Sequence, residues 1–195
     1  MIPEYFVYLA VVINFVGGLA YLGDTLKGRA KPNRVTWFFW AAGPLLAFSA
    51  QLSKGAGIQS LLTFITGFTP LVVFLGSFLN KKAYWKLGII DYFCGALAVF
   101  GLLLWALTRD ATLGLIFGLL VDAIACIPTF IKAYYHPETE SPISYETAFI
   151  AGFITLLTVK DWTFLNYGYS IQLLILAFIF ILFIRFKLGK ILSKV

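Results

Sequence analysis

The sequence predicts an all-α integral membrane protein with seven transmembrane helices. Of the 195 residues, 61% are hydrophobic and 12% are charged, and the mean hydropathy is +0.90. A soluble domain is about half apolar and a quarter charged. The apolar residues form near-continuous runs of about 17–25 residues, the length that a bilayer-spanning helix needs, whereas a membrane barrel shows alternating segments of about ten. Since lipid cannot satisfy backbone polar groups, these runs are expected to be helices of a single transmembrane domain, residues 1–195.

The first three apolar runs form one unit of about residues 5–79. Helix 1 is expected at about residues 5–24 and stops before the basic turn of residues 27–34. Helix 2 follows at about 35–52 and helix 3 at about 58–79. Each run is long enough to cross a bilayer.

Four further runs complete the chain. Helix 4, at about residues 87–107, is expected to link the first unit to a second unit at 112–186. In the second unit, helices 5, 6 and 7 are expected at about 112–134, 143–159 and 164–186. The connecting loops are short, which leaves no room for a separate soluble domain.

The distribution of the 15 basic residues predicts the orientation. Three lie on one side of the predicted helices, at Lys54, Arg109 and Lys160. The other side carries the remaining ones: Lys27, Arg29, Lys31, Arg34, Lys81, Lys82, Lys86, Lys132, Arg185, Lys187, Lys190 and Lys194. By the positive-inside rule the richer side is cytoplasmic, so the N-terminus is outside and the C-terminus is inside.

The positions of the basic residues also argue against nucleic-acid binding, and the loop lengths indicate the type of membrane. The basic residues act as topology signals, so the net charge of +6 does not indicate nucleic acid. Short loops suit a bacterial inner (plasma) membrane. Residues 1–6 carry Glu4 and no Lys or Arg, so we expect no cleavable signal peptide.

The chain contains an internal repeat. Gly23 and Lys27, followed by a turn and Val35-Thr36-Trp37, correspond to Pro128 and Lys132, followed by a turn and Ile143-Ser144-Tyr145. The same register pairs Gly17 with Asp122 and Pro44 with Gly152. Helices 1 and 5 run in the same direction, so we expect two parallel three-helix repeats joined by a linker helix, a 3+1+3 arrangement.

This arrangement resembles the SWEET-like (MtN3) sugar transporters and the wider PQ-loop superfamily, which includes lysosomal amino acid exporters. The stretch from Gly28 to Trp37 looks like the cytoplasmic turn between the first two helices of bacterial members, and the segment from Pro128 to Ser144 looks like its second-repeat partner. The Pro-Gln dipeptide that names the superfamily is replaced by Gly23-Asp24 and by Pro128-Thr129. The resemblance implies a transporter that works by alternating access.

Two polar residues near the middle of helices are candidate substrate-binding residues. Asp122 lies near the centre of helix 5, where burying a carboxylate costs about 2.5–3.5 kcal/mol unless it is protonated or partnered. Asn14 lies near the centre of helix 1, and the repeat places it one helical turn from the position of Asp122. Either side chain can instead only bond neighbouring helices together, and that alternative stays open.

Four further residues complete the candidate binding set. The resemblance to the SWEET family implies that Thr66 on helix 3 and Gln172 on helix 7 contact the substrate. Trp37 and Trp40 are three residues apart and share a helix face, so they can stack on a ring-shaped substrate. The alternative for both tryptophans is an aromatic belt at the membrane interface.

Other residues are expected to move the helices or close the path. SWEET-like proteins use prolines as hinges, and here Pro44, Pro128, Gly23 and Gly152 occupy those places. The alternative, that membrane helices simply tolerate proline, stays open. A Lys132–Glu146 ion pair is a candidate inner gate. The alternative for Lys132 is extension of its ammonium toward the lipid headgroups.

Together these features predict a transporter of a small polar solute, either a sugar, an amino acid or a vitamin precursor. Proton coupling through Asp122 and assembly into a homo-oligomer are left open. The rival is a non-transporting receptor or assembly protein of the same fold. We expect no enzyme, because Asp91 and Asp122 lie at different depths, and no cofactor or metal, because His136 is the single histidine.

Overall fold

The computed structural model describes residues 1–108 and 110–192. Of the described residues, 79% are helical and none lies in a strand, which confirms the all-α class. The α-helices are α1 (Phe6–Leu26), α2 (Arg34–Ser53), α3 (Ser60–Gly76), α4 (Ile89–Thr108), α5 (Ala111–Tyr135), α6 (Pro142–Thr158), α7 (Phe164–Ile184) and α8 (Leu188–Leu192). Short 3-10 turns at Lys81–Ala83 and Pro137–Thr139 precede α4 and α6. Arg109 and Lys194, two of the basic residues in the topology count, lie outside the described residues.

Polar side chains fix where two of the central helices begin. The Asn33 side chain accepts hydrogen bonds from the backbone N–H groups of Val35 and Thr36 at the start of α2. Asp110 does the same for α5, where it accepts from Thr112 and Leu113 at 2.8 and 2.9 Å. These backbone donors hold the pKa of the Asp110 carboxyl below its ordinary value. Asn and Asp are preferred caps because each satisfies backbone donors that have no partner in the first helical turn.

The helices indicate a membrane protein. In the part of the chain that the structure describes, four helices are long and apolar enough to cross a bilayer: Phe6–Leu26, Arg34–Ser53, Thr112–Tyr135 and Phe164–Ile184. Three shorter apolar helices, Ser60–Gly76, Ile89–Leu104 and Pro142–Thr158, accompany them. Seventeen residues of helix extend about 25 Å, near the lower limit for a span.

The loops that connect the helices lie alternately at two ends of the bundle. At one end the α1–α2 and α5–α6 connections meet, where Ser141 Oγ donates to Asp24 Oδ2 at 2.7 Å. We call this the basic end, because most Lys and Arg residues lie there. At the other, the N-terminal end, Gln51 Nε2 donates to the Leu165 carbonyl oxygen at 2.7 Å and so joins α2 to the start of α7.

Six helices pack in a ring. In each half of the chain the third helix packs between the first two, so that α3 contacts α1 and α2, and α7 contacts α5 and α6. The halves are joined where α1 packs against α6 and α2 against α5. α4 packs against α5 and α2, and it leaves Ile89, Phe93 and Leu107 strongly exposed. Large exposed apolar side chains of this kind cover the outer surface of the bundle, as expected of a surface that faces lipid.

Glycines bring the two halves close together. A Cβ atom on Gly43 of α2 would lie 3.2 Å from the carbonyl oxygen of Gly118 on α5, and a Cβ atom on Gly118 would lie 3.0 Å from Ala47. Such backbone-to-backbone contact is how helices associate in lipid, where no hydrophobic driving force acts between them. The close α2–α5 contact places Asp122, one turn beyond Gly118, against α2.

Candidate functional site

A cavity of about 80 Å³ lies inside the ring. All six ring helices line it, and its lining is Asn14, Trp37, Trp40, Thr66, Thr69, Pro70, Asp122, Cys126, Ser144, Tyr145, Ala148, Tyr169, Leu173, Leu176, Ala177 and Phe180. The volume is several times the roughly 10–15 Å³ that one water molecule needs. The cavity therefore has room for a small solute.

Asp122 and Gln172 form a pair across α5 and α7. Gln172 Nε2 donates to Asp122 Oδ2 at 2.9 Å and to the Leu119 carbonyl oxygen at 3.0 Å. Asp122 is 7% exposed and lines the cavity, whereas Gln172 stands behind it and does not. The structure thus brings these two predicted residues together, with Gln172 orienting the carboxylate.

Several polar groups at the cavity have no hydrogen-bond partner among the described residues. Asn14 is 7% exposed, and its side-chain amide takes part in none of the hydrogen bonds found there. Thr69 Oγ1 is buried without a partner. Trp37 Nε1 has no acceptor in hydrogen-bonding geometry, although the Tyr21 ring lies 4.4 Å away between centroids. Because unpaired buried polar groups cost about 1–3 kcal/mol each, these groups are available to a polar solute.

Thr66 lines the cavity but is tied to its own helix. Its hydroxyl lies 2.9 Å from both the Leu62 and the Thr63 carbonyl oxygens, so its proton is used within α3. Toward the cavity it offers an acceptor oxygen. Thr69, three residues further along the same face, lines the cavity with a hydroxyl that has no hydrogen-bond partner among the described residues.

Aromatic side chains form the wall toward the basic end. Trp40 makes edge contacts with Trp37 and Phe180, at centroid distances of 5.4 and 5.6 Å, and Tyr145 stacks on Phe180 at 4.4 Å. Trp40 Nε1 donates to Cys126 Sγ at 3.3 Å. Trp37 and Trp40 are 2% and 9% exposed, so the alternative of an interfacial belt is wrong for these two residues.

A buried polar cluster lies between this wall and the basic end. Glu140 Oε1 receives the Lys132 ammonium at 2.6 Å, and Glu140 Oε2 accepts the hydroxyls of Tyr21 and Tyr145 at 2.8 Å each. The Lys132 ammonium also donates to the Lys31 carbonyl oxygen. We call Tyr21, Lys132, Glu140 and Tyr145 the Glu140 cluster. Since Tyr145 also lines the cavity, the cluster is continuous with the cavity wall.

The predicted Lys132–Glu146 pair is wrong. Lys132 is 2% exposed and pairs with Glu140, while Glu146 faces Arg185 at 3.4 Å near the surface. The alternative of a lysine extended toward lipid fails for the same reason. The competing partner is closer because residues 137–141 fold back over the end of α5 and carry Glu140 inward.

The residues predicted as hinges lie inside continuous helices. Pro44 is within α2 and Pro128 within α5. Gly152 of α6 packs against α7, where a Cβ would lie 3.4 Å from the Ser170 carbonyl oxygen. Gly23 has open space around it. Their role as hinges stays a prediction.

Four residues of this region were not predicted from the sequence. Tyr145 occupies the position of Trp37 in the internal repeat, and Thr69 shares a helix face with Thr66, so both had a signal. Tyr169 lies three residues before Gln172 on the cavity side of α7. Glu140 had no signal, because a glutamate in a polar loop is usually solvated.

Asp91 belongs to a different place from Asp122. It accepts hydrogen bonds from Asn33 Nδ2 and the Gly88 backbone N–H, and it lines a second cavity between α4 and α5. Among the described residues, no group of three or more His, Cys, Asp or Glu is placed to hold a metal ion.

No family model, no curated protein and no solved structure matches this chain. The function is therefore inferred from the geometry of the cavity and of the Glu140 cluster.

Proposed function

We propose that this protein is a membrane transporter of a small polar solute that works by alternating access. In this proposal α1–α3 and α5–α7 are parallel repeats of a seven-helix 3+1+3 transporter of the PQ-loop and SWEET-like kind, with α4 as the linker. The basic end faces the cytoplasm of a bacterial cell, so the N-terminus lies outside and the C-terminus lies in the cytoplasm.

The observation that carries the proposal is the cavity between the two halves. It contains a buried carboxylate, an unbonded amide at Asn14 and an unbonded hydroxyl at Thr69. Asp122 lies 11 residues from one end of α5 and 13 from the other, which puts it about 17–20 Å from each end. A polar site at the middle of the membrane, lined by both repeats, is the arrangement of parallel-repeat transporters.

The Glu140 cluster fits the role of the inner gate. It joins α1, α5 and α6 through contacts to one carboxylate, and the Lys132 and Glu140 side chains are 1% and 0% exposed. Rocking one repeat against the other has to separate these groups before a solute can pass. The free-energy cost of separating the Lys132–Glu140 ion pair is offset by hydration of both charges once water enters.

The direct test is solute flux into proteoliposomes containing the wild-type protein or Asp122→Asn. We expect the wild type to move at least one member of a panel of sugars, amino acids, organic cations and vitamin precursors, and the variant to lose at least tenfold of that rate. Asp110→Asn is the matched control, because it is the same change at an exposed helix cap where Asn serves as well as Asp.

A panel with no transported solute, from protein that is folded in the bilayer, would overturn the transporter proposal. A solute that binds without crossing would favour the receptor alternative. Equal flux in Asp122→Asn and wild type would leave a transporter in which Asp122 only packs helices.

A further inference from the structure

The cavity carries one acidic group and no basic group to balance it. Asp122 is the single Asp, Glu, Lys, Arg or His among the lining residues. Gln172 donates to its Oδ2 atom, and its Oδ1 atom has no donor among the described residues. A buried carboxylate that lacks a cation is strongly disfavoured, so Asp122 needs either a proton or a positively charged occupant.

The groups that face Asp122 from the other ring helices do not supply this cation. α1, α2 and α3 present Asn14, Trp40 and Thr66. The titratable groups in the lining are Cys126 on α5, Tyr145 on α6 and Tyr169 on α7, and none of them is positively charged in any protonation state. Lys132 is ten residues along α5, about 15 Å away, and is neutralised by Glu140.

The rest of the lining is suited to a cation with an apolar body. Five aromatic side chains line the cavity: Trp37, Trp40, Tyr145, Tyr169 and Phe180. Because the cavity is small, any occupant has to contact several of these rings. Aromatic faces attract ammonium and other organic cations within about 6 Å, most strongly for Trp and most strongly where water is excluded.

We propose that the solute is a small organic monocation, such as a protonated or quaternary amine without a carboxylate, and that it exchanges with a proton on Asp122. This inference depends on the proposed transport function. Charge is conserved, because one cation binds Asp122 as one proton leaves it. A zwitterionic amino acid would bring a carboxylate for which the lining has no Lys, Arg or His. A neutral sugar could bind only while Asp122 keeps its proton, so it could not exchange with that proton.

The class of solute is tested first by binding, independently of transport. Choline and its neutral carbon isostere 3,3-dimethylbutan-1-ol have nearly the same shape and differ in charge. Tetramethylammonium is a second cation probe, and acetate and glucose are the anionic and neutral comparisons. Two of the five tryptophans line the cavity, so binding to the full-length protein in detergent is followed by tryptophan fluorescence and by isothermal calorimetry.

We expect at least one cation to bind at least tenfold more tightly than its neutral isostere. Its Kd should rise as the pH falls, because protons compete for Asp122. Asp122→Asn should remove the preference for charge, and Asp110→Asn should keep it. If Asp122→Asn does not fold, cation binding is compared in Trp40→Phe and Trp40→Leu instead. Phe keeps an aromatic face and Leu does not, so the preference for the cation should be retained in Trp40→Phe and reduced in Trp40→Leu.

Exchange is then measured in proteoliposomes with labelled choline outside and a pH-sensitive dye inside. We expect one proton to leave the proteoliposome for each cation that enters, and uptake to be faster when the interior is acidic. Cation uptake without proton movement would overturn the exchange.

The outcomes separate this inference from the transport proposal. Flux of sugars or anions only would leave a transporter and overturn the organic-cation assignment. Binding of cations without any flux would keep the assignment and overturn transport. Cation probes that neither bind nor move at millimolar concentration would overturn the assignment whatever the rest of the solute panel shows.

Discussion

The Glu140 carboxylate is the shared hydrogen-bond acceptor of the buried polar groups at the basic end. It accepts from one ammonium and two phenols, and nothing else in the cluster carries negative charge. For Glu140→Gln we expect a loss of about 3–5 kcal/mol of stability, because Lys132 keeps its charge with no carboxylate partner and retains only backbone carbonyls and the face of the Trp85 ring. The measurement is thermal unfolding of the purified protein in detergent.

A double-mutant cycle separates the pair from other effects. Lys132→Met with Glu140→Gln should be more stable than Glu140→Gln alone, since replacing both charges removes the unpaired ammonium. Glu146→Gln is the control, because its partner Arg185 is at the surface and such pairs contribute about 0–1 kcal/mol. Additive losses in the cycle would mean that the two charges do not interact.

For single residues, the sequence indicated which polar side chains lie near the middle of the membrane, but it did not indicate which residue each one contacts. Asp122 and Asn14 stood out because a polar side chain at the middle of an apolar run has a cost that must be offset. The partner of Lys132 could not be predicted, because Glu140 and Glu146 are eight and fourteen residues away and helix spacing favours neither. The turn at Pro137–Thr139 decides between them, and its path is a tertiary feature.

Among the helices, α3 differs most from its predicted bounds. The apolar run suggested an end at about residue 79, whereas the helix ends at Gly76. Arg34 explains the difference, because its guanidinium binds the Ser77 carbonyl and hydroxyl oxygens at 2.8 and 3.1 Å and covers the Phe78 ring at 4.1 Å. Hydropathy predicts the other long helices to within a few residues, but a contact from a neighbouring helix is invisible to it.

Glycine substitutions test how closely the helices pack. A Cβ on Gly67 of α3 would lie 3.0 Å from the Leu45 nitrogen and 3.1 Å from the Ala41 oxygen of α2, so the backbones have to separate. We expect Gly67→Ala to cost about 1–3 kcal/mol. Gly23→Ala is the matched change in open space, and there we expect a gain of up to about 1 kcal/mol from helix propensity.

The same pair of variants tests a hinge at Gly23. If α1 bends at this residue during transport, Gly23→Ala should slow flux although the protein becomes more stable, because alanine restricts the backbone. Unchanged flux with raised melting temperature would remove Gly23 from the hinge set. Melting temperature and flux are measured on the same preparation.

For the whole molecule, the charge pattern and the packing agree on two ends but leave the membrane orientation to experiment. Lys54 follows α2 at the N-terminal end, and Lys81 opens the turn before α4 at the basic end; both are exposed. The native thiols of Cys94 and Cys126 are free and buried, and changing both to Ala removes any competing signal.

In intact bacterial cells a membrane-impermeant maleimide should label Lys54→Cys at once and Lys81→Cys only after the membrane is permeabilised. Labelling of both from the same side would contradict the helix count, whereas the reverse pattern would keep the fold and invert the protein, which would put the Glu140 cluster at the outer gate.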